Sequence, residues 1–209
     1  MQLERPTVLD VWPGQSKDFG RTLLDAVAAL DDAGVAYLLI GGLASSLLGR
    51  PRTTEDVDLF VKAEEADRAL DALAGIGFEV ERTNPDWIYK ARREGIDFDV
   101  IFWLKGGITL TDELLARAAT TAMDGRAVRL MSPEDLVVVK AIVHDEQSPR
   151  HWHDALGILA SSRIDWDYLV LRSRHGARRV LSLLLYAQSD DLVVPDHAIR
   201  SLQGAIYGE

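Results

Sequence analysis

Residues Tyr37 to Lys62, YLLIGGLASSLLGRPRTTEDVDLFVK, set the pattern for everything around them. Tyr37 to Ile40 is an apolar run with the character of a buried strand. Gly41 and Gly42 follow, and glycine lets the backbone turn sharply or approach a ligand closely. A short apolar helix, Leu43 to Leu48, leads into a polar loop from Gly49 to Glu55, and a second strand opens Asp56-Val57-Asp58. Side chains alternate along a strand, so Asp56 and Asp58 point the same way. Strands are depleted in Asp, and two carboxylates on one face repel each other. A local contradiction of this kind marks a functional site more often than a structural one. The usual remedy is a divalent cation held by hard oxygen ligands.

A strand, Gly-Gly, a short helix and Asp-x-Asp opening the next strand resemble the nucleotidyltransferase superfamily of the DNA polymerase β type. RTTEDVDLFV, Arg52 to Val61, is most similar to small prokaryotic members, the AbiEii-like and MNT-type proteins. The resemblance implies an α/β (α+β) fold: a mixed sheet flanked by helices, followed by a C-terminal helical region. It implies metal-dependent transfer of a nucleoside monophosphate from an NTP to an acceptor hydroxyl. Asp56 and Asp58 would hold Mg²⁺ or Mn²⁺ with the triphosphate. A third carboxylate from a neighbouring strand would complete a second metal site. In Ile96-Asp97-Phe98-Asp99-Val100-Ile101-Phe102, alternation puts Asp97 and Asp99 on one face, and Asp99 matches the family pattern better than Asp97.

The same resemblance assigns nucleotide-binding roles. Gly41 and Gly42 precede a helix N-terminus, whose free N–H groups and dipole suit phosphate. The family more often has Gly-Ser there, so either Ser45 or Ser46 would supply the missing hydroxyl or backbone amides would suffice. Arg52 would either reach the triphosphate with its planar fork or neutralise the acids. Lys140, in Leu136-Val137-Val138-Val139-Lys140-Ala141-Ile142, and Asp154, in His151-Trp152-His153-Asp154, match the positions of a nucleotide-contacting Lys and its partner Asp. A short turn around Ser148-Pro149 should lay their helices side by side, so a structural ion pair competes with the nucleotide role.

The alternation of helix and strand up to residue 131 gives a nucleotidyltransferase-like α/β domain, 1–131. Its helices are expected at Lys17–Ala33, Glu64–Ala74 and Thr111–Met123. Its later strands are expected at Phe78–Thr83, Trp87–Arg93, Ile96–Leu104 and Arg126–Met131. Ser132-Pro133-Glu134-Asp135 is a helix start, with Ser as N-cap, Pro at the first helical position and acids in the first turn. Only helices are expected beyond it, which makes 132–209 a C-terminal helical domain.

Composition excludes several classes. There is no cysteine, so no disulfide or thiolate metal site forms. MQLERPTVLD has neither a basic region nor an apolar one after it, so no signal peptide is expected; the longest apolar runs fall short of a membrane span, and a cytoplasmic protein is expected. His144, His151 and His153 lack the spacing of a helical zinc motif. The formal net charge of −10 argues against a general nucleic-acid binder. The acceptor is therefore open among an RNA 3′ end such as that of tRNA, a protein hydroxyl and a small molecule. The AbiEii-like resemblance adds a toxin–antitoxin role, with a cognate antitoxin or HEPN-type protein as partner. The alternative is a catalytically silent NTP-binding or antitoxin-like module on the same fold.

Overall fold

The computed structural model of the chain describes residues 17–208. Two compact units divide it. Residues up to 47, 51–104 and 109–131 form the first; 48–50, 105–108 and those from 132 on form the second.

The first unit is built on a seven-stranded sheet. In chain order its elements are α1 (Lys17–Asp32), β1 (Tyr37–Leu39), α2 (Gly41–Leu48), β2 (Asp56–Val61), α3 (Ala66–Gly75), β3 (Glu79–Asn84), β4 (Ile88–Arg93), β5 (Ile96–Ile101), α4 (Asp112–Ala116), β6 (Ala119–Met123) and β7 (Arg126–Leu130). The spatial order is β3-β4-β5-β2-β1-β7-β6. β2 runs parallel to β5 and β1 parallel to β7, while the remaining pairs are antiparallel, so the sheet is mixed as the sequence implied. Val57, Leu59, Phe98 and Val100 are fully buried on one face. Phe98 meets Phe78 edge-on, ring centres 4.9 Å apart, and α3 packs on β3, β4 and β5 there. α1 buries Leu23, Val27 and Leu30 completely, at the three-to-four spacing of an amphipathic helix.

One sequence expectation is corrected. Thr111–Met123 is not one helix. Thr111 caps a helix that ends at Ala116, its hydroxyl accepting from Leu114 N. Ala119–Met123 is instead strand β6, paired antiparallel with β7. Asp124 and Gly125 between them both have positive φ, 46° and 84°. This Asp-Gly pair makes the two-residue turn that fits the twist of a hairpin, and that turn overrides the weak helical pattern of Ala-Thr-Thr-Ala. Elsewhere element types agree and ends shift by one to three residues.

The second unit is helical among the described residues: α5 (Pro133–Val143), α6 (Arg150–Ser161), α7 (Trp166–Arg172), α8 (Ala177–Ser189) and α9 (Asp196–Tyr207), with a single 3₁₀ turn at Ser173–His175. α5 is buried at every position from Glu134 to Ile142, which makes it the central helix. Its first turn is held by more than a cap. Ser132 Oγ accepts from Asp135 N at 3.1 Å and donates to Asp135 Oδ2 at 2.9 Å. Tyr168 Oη donates to the same carboxylate at 2.9 Å and Arg172 Nε at 2.6 Å. These three donors sit on α7 or at the cap, and together they match one buried charge. No helix among the described residues is long and apolar enough to cross a membrane.

His151, at the start of α6, has a buried Nδ1 with no hydrogen-bond partner. Burial, then the nearby Lys140 ammonium, push its pKa down to about 4, with Asp154 opposing and Arg150 and His144 adding to the fall. The folded value lies below the unfolded value of about 6.5. His151 therefore favours the folded state fully above about pH 6.5, and that contribution is lost as pH falls towards 4. His151→Phe should show a smaller fall in Tm than the wild type between pH 6.5 and 4, measured by thermal melts across that range.

Candidate active site

The acidic residues meet because of strand register. β2 and β5 pair in parallel with Asp56 opposite Asp97 and Asp58 opposite Asp99. β4 pairs antiparallel with β5, with Arg92 opposite Asp97 and Lys90 opposite Asp99. Residues directly opposite share a face. Two transverse rows result, Arg92–Asp97–Asp56 and Lys90–Asp99–Asp58, on the face away from Val57 and Phe98.

Each row carries its own ion pair. Arg92 Nη1 lies 2.9 Å from Asp97 Oδ1, and those side chains are 57% and 52% exposed. Lys90 Nζ lies 2.6 Å from Asp99 Oδ1, with Asp99 only 17% exposed. The hydrogen bond that Lys90 donates to Asp99 holds the Lys90 pKa above its usual value, against an opposing push from burial, with the charges of Asp99, Asp97 and Asp58 adding to the rise. Lys90 was not among the residues singled out in the sequence.

The Asp58 row ends at the glycine turn. Ile40 N donates to Asp58 O at 3.0 Å. Gly41 has φ +64°, and a Cβ there would fall 1.7 Å from Asp58 Oδ2. Only glycine fits, for both backbone and space. The Asp58 carboxylate thus lies against the first residue of α2, where the helix dipole favours negative charge.

Gly42 explains the departure from Gly-Ser. A Cβ there would sit 2.6 Å from Thr54 Oγ1 and 2.9 Å from Arg52 Nη2. The place a serine side chain would take is filled by Arg52 and Thr54. Thr54 Oγ1 also donates to Asp56 Oδ1 at 2.7 Å, and Arg52 Nη1 donates to Thr53 O at 3.1 Å. Ser46 fixes this loop by accepting from Arg52 N at 2.9 Å and donating to Arg52 O at 3.0 Å. Ser45 is buried and donates to Gly41 O at 2.6 Å, so its hydroxyl steadies the turn from within.

Asp56, Asp58 and Asp99 are hard oxygen donors on two adjacent strands, all partly exposed, and they suit Mg²⁺ or Mn²⁺ in kind. Among the described residues no three acidic or histidine side chains already converge as a ready metal cage.

Lys140 and Asp154 lie in the helical unit, where α5 packs against α6. Lys140 Nζ is 2.8 Å from Asp154 Oδ2, and the two side chains are 4% and 6% exposed. The side-by-side packing expected from the short turn is present. A pocket of about 470 Å³ opens nearby, lined by Arg50, His144, Trp152, His153, Tyr186 and Asp190 among others.

The model of a family described as "Nucleotidyl transferase of unknown function (DUF2204)" matches residues 20–174. No curated protein matches the chain in sequence. Among solved structures, the fold is similar to the antibiotic-resistance factor ANT(2'')-Ia, at 17% identity over 84% of this chain and 94% of that one, TM-score 0.54. It is similar to an antigenic nucleotidyltransferase-like protein from Paracoccidioides brasiliensis, at 17% identity over 93% and 99%, TM-score 0.54. It is similar also to the lincosamide antibiotic adenylyltransferase LnuA, solved with lincomycin bound, at 15% identity over 68% and 97%, TM-score 0.50. At these identities the likeness is one of fold.

Two substitutions separate site from scaffold. Gly41→Ala should destabilise the protein by more than about 1–2 kcal/mol, the left-handed backbone cost alone, and should displace Asp58. Lys140→Met should cost about 3–5 kcal/mol by leaving Asp154 buried without its main partner. Lys140→Met with Asp154→Leu should recover most of that loss, read by urea unfolding.

Proposed function

Because the chain belongs to this nucleotidyl transferase family, we propose that its acidic sheet face moves a nucleoside monophosphate from an NTP to an acceptor hydroxyl. The observation that carries the reading is the register that sets Asp58 beside Asp99, next to a glycine turn that tolerates no side chain. Asp56 and Asp58 would hold one divalent cation, which neutralises triphosphate charge when bound. The N-terminus of α2 and Arg52 would take phosphate oxygens through N–H donors.

Asp99 would receive the acceptor hydroxyl. The hydroxyl oxygen forms a bond to the α-phosphorus as the bond from that phosphorus to the bridging oxygen breaks. The hydroxyl proton passes to Asp99, and pyrophosphate leaves with the electron pair. Positioning and charge neutralisation supply most of the rate. The net charge of −10 favours a neutral or cationic small-molecule acceptor over RNA, whose phosphates an acidic surface repels. The fold neighbours named for antibiotics agree with that class.

Asp56→Asn with Asp58→Asn should abolish Mn²⁺-dependent NTP binding while the metal-free Tm holds or rises, since like-charge repulsion is relieved. A clear fall in metal-free Tm would make these acids structural. Asp99→Asn should keep NTP affinity within a few-fold and lower transfer by about 10²–10⁴, the range for losing a proton acceptor. The acceptor is found by offering labelled NTPs with hydroxylated amine antibiotics, total RNA and total protein in separate reactions. Growth arrest on expression of the wild type, absent with Asp58→Asn, would move the acceptor to RNA or protein and support a toxin role.

A further inference from the structure

Lys90 sits where the sequence expected a second metal ion to act. Its position is set by backbone pairing: Lys90 and Asp99 are direct cross-strand partners in the β4–β5 ladder. Ile88, Tyr89 and Ala91 around it are buried, so the strand cannot slip to carry Lys90 away. Its ammonium contacts Asp99 Oδ1 at 2.6 Å, and Asp99 is largely shielded while Lys90 is about half-exposed, 17% against 47%. A charge-assisted bond of this length is a strong one. The neighbouring acid, Asp97, has a separate partner in Arg92.

We infer that Lys90 supplies to Asp99 the positive charge that a second divalent ion would otherwise bring, so that the centre holds a single metal ion, on Asp56 and Asp58. The inference rests on the metal reading given under Proposed function. A divalent ion bound to Asp99 would have to approach within about 2.1 Å of a carboxylate oxygen whose other oxygen already meets an ammonium. Two cations on one carboxylate repel, and the one attached to the chain cannot leave by diffusion. Lys90 is therefore a positioning residue. It fixes one oxygen of Asp99 and leaves Oδ2 for the acceptor hydroxyl. An ammonium is also a compact point charge whose long stem lets it follow the carboxylate as the proton arrives.

The test counts metal ions rather than turnover. Mn²⁺ bound by the purified full chain is titrated by the paramagnetic resonance of the free ion, with α,β-methylene analogues of the four NTPs supplied in turn. Per chain with nucleotide bound, and with the Mn²⁺ on free nucleotide subtracted, the wild type is expected to hold one Mn²⁺ in all, Lys90→Arg one, Lys90→Met two, and Asp58→Asn none. Lys90→Gln serves as the second neutral variant should Lys90→Met fold poorly. Two ions on the wild type, or one on both neutral variants, overturns the inference and leaves the metal reading standing. No ion on the wild type overturns the reading of Asp56 and Asp58 as metal ligands, and this inference with it.

Discussion

The parallel pairing of β2 with β5 forces like charges abreast. Asp58 stands opposite Asp99 and Asp56 opposite Asp97, at a strand spacing of about 4.8 Å. Two carboxylates about 5 Å apart repel by roughly 3 kcal/mol at an effective dielectric of 20. What holds them is the other face of the same strands. Val57, Leu59, Phe98 and Val100 are fully buried, each contributing about 1.5–3 kcal/mol. Their sum outweighs the repulsion, and a slip of one residue would turn all four to the acidic side. The apolar face fixes the register, and the register assembles the site.

The glycine turn depends on the same register. Because Ile40 pairs with Asp58 at the end of β1, the next residue meets the Asp58 carboxylate, and a Cβ there has no room. Gly42 is held bare by a different contact, the Arg52 and Thr54 side chains folded over it. Arg52, Thr54 and Asp56 thus form a connected run from the turn to the first acid, with Ser46 bonded to the Arg52 backbone from both sides. Replacing the usual serine with glycine removes one hydroxyl and makes space for a guanidinium and a different hydroxyl.

Much of this was legible in the sequence because it broke local rules. Asp at two alternate positions of an apolar strand contradicts strand propensity, and a Lys within Val-Val-Val-Lys-Ala-Ile contradicts burial preference. The first exception lies on the sheet face where Asp58 stands opposite Asp99, and the second in a buried ion pair with Asp154. Two features were missed for reasons that concern turns. Asp124-Gly125 is a strong hairpin signal, yet Ala-Thr-Thr-Ala reads as either helix or strand by periodicity alone. Glu94-Gly95, with φ 53° and 76°, is a second turn of the same kind. Counting outwards from it pairs Arg93 with Ile96, Arg92 with Asp97 and Lys90 with Asp99, which is the observed register. The signal for Lys90 was therefore present in the turn, not in the residues around the lysine. The choice of α2's starting residue was not legible, since it depends on where Asp58 lies in space.

The two lysine–aspartate pairs show how burial divides one chemistry into two roles. Lys140 and Asp154 are 4% and 6% exposed. Separating them inside the helical unit would strand a charge in a medium that solvates it poorly, so the pair behaves as part of the core. Lys90 and Asp99 have nearly the same separation, yet Lys90 is 47% exposed. Its side chain stays about half-exposed, so forming this pair cost less desolvation than burying Lys140 beside Asp154 did. A half-exposed pair leaves its acid open to a further partner, and a buried pair does not. Distance alone does not distinguish the pairs; the water around each one does.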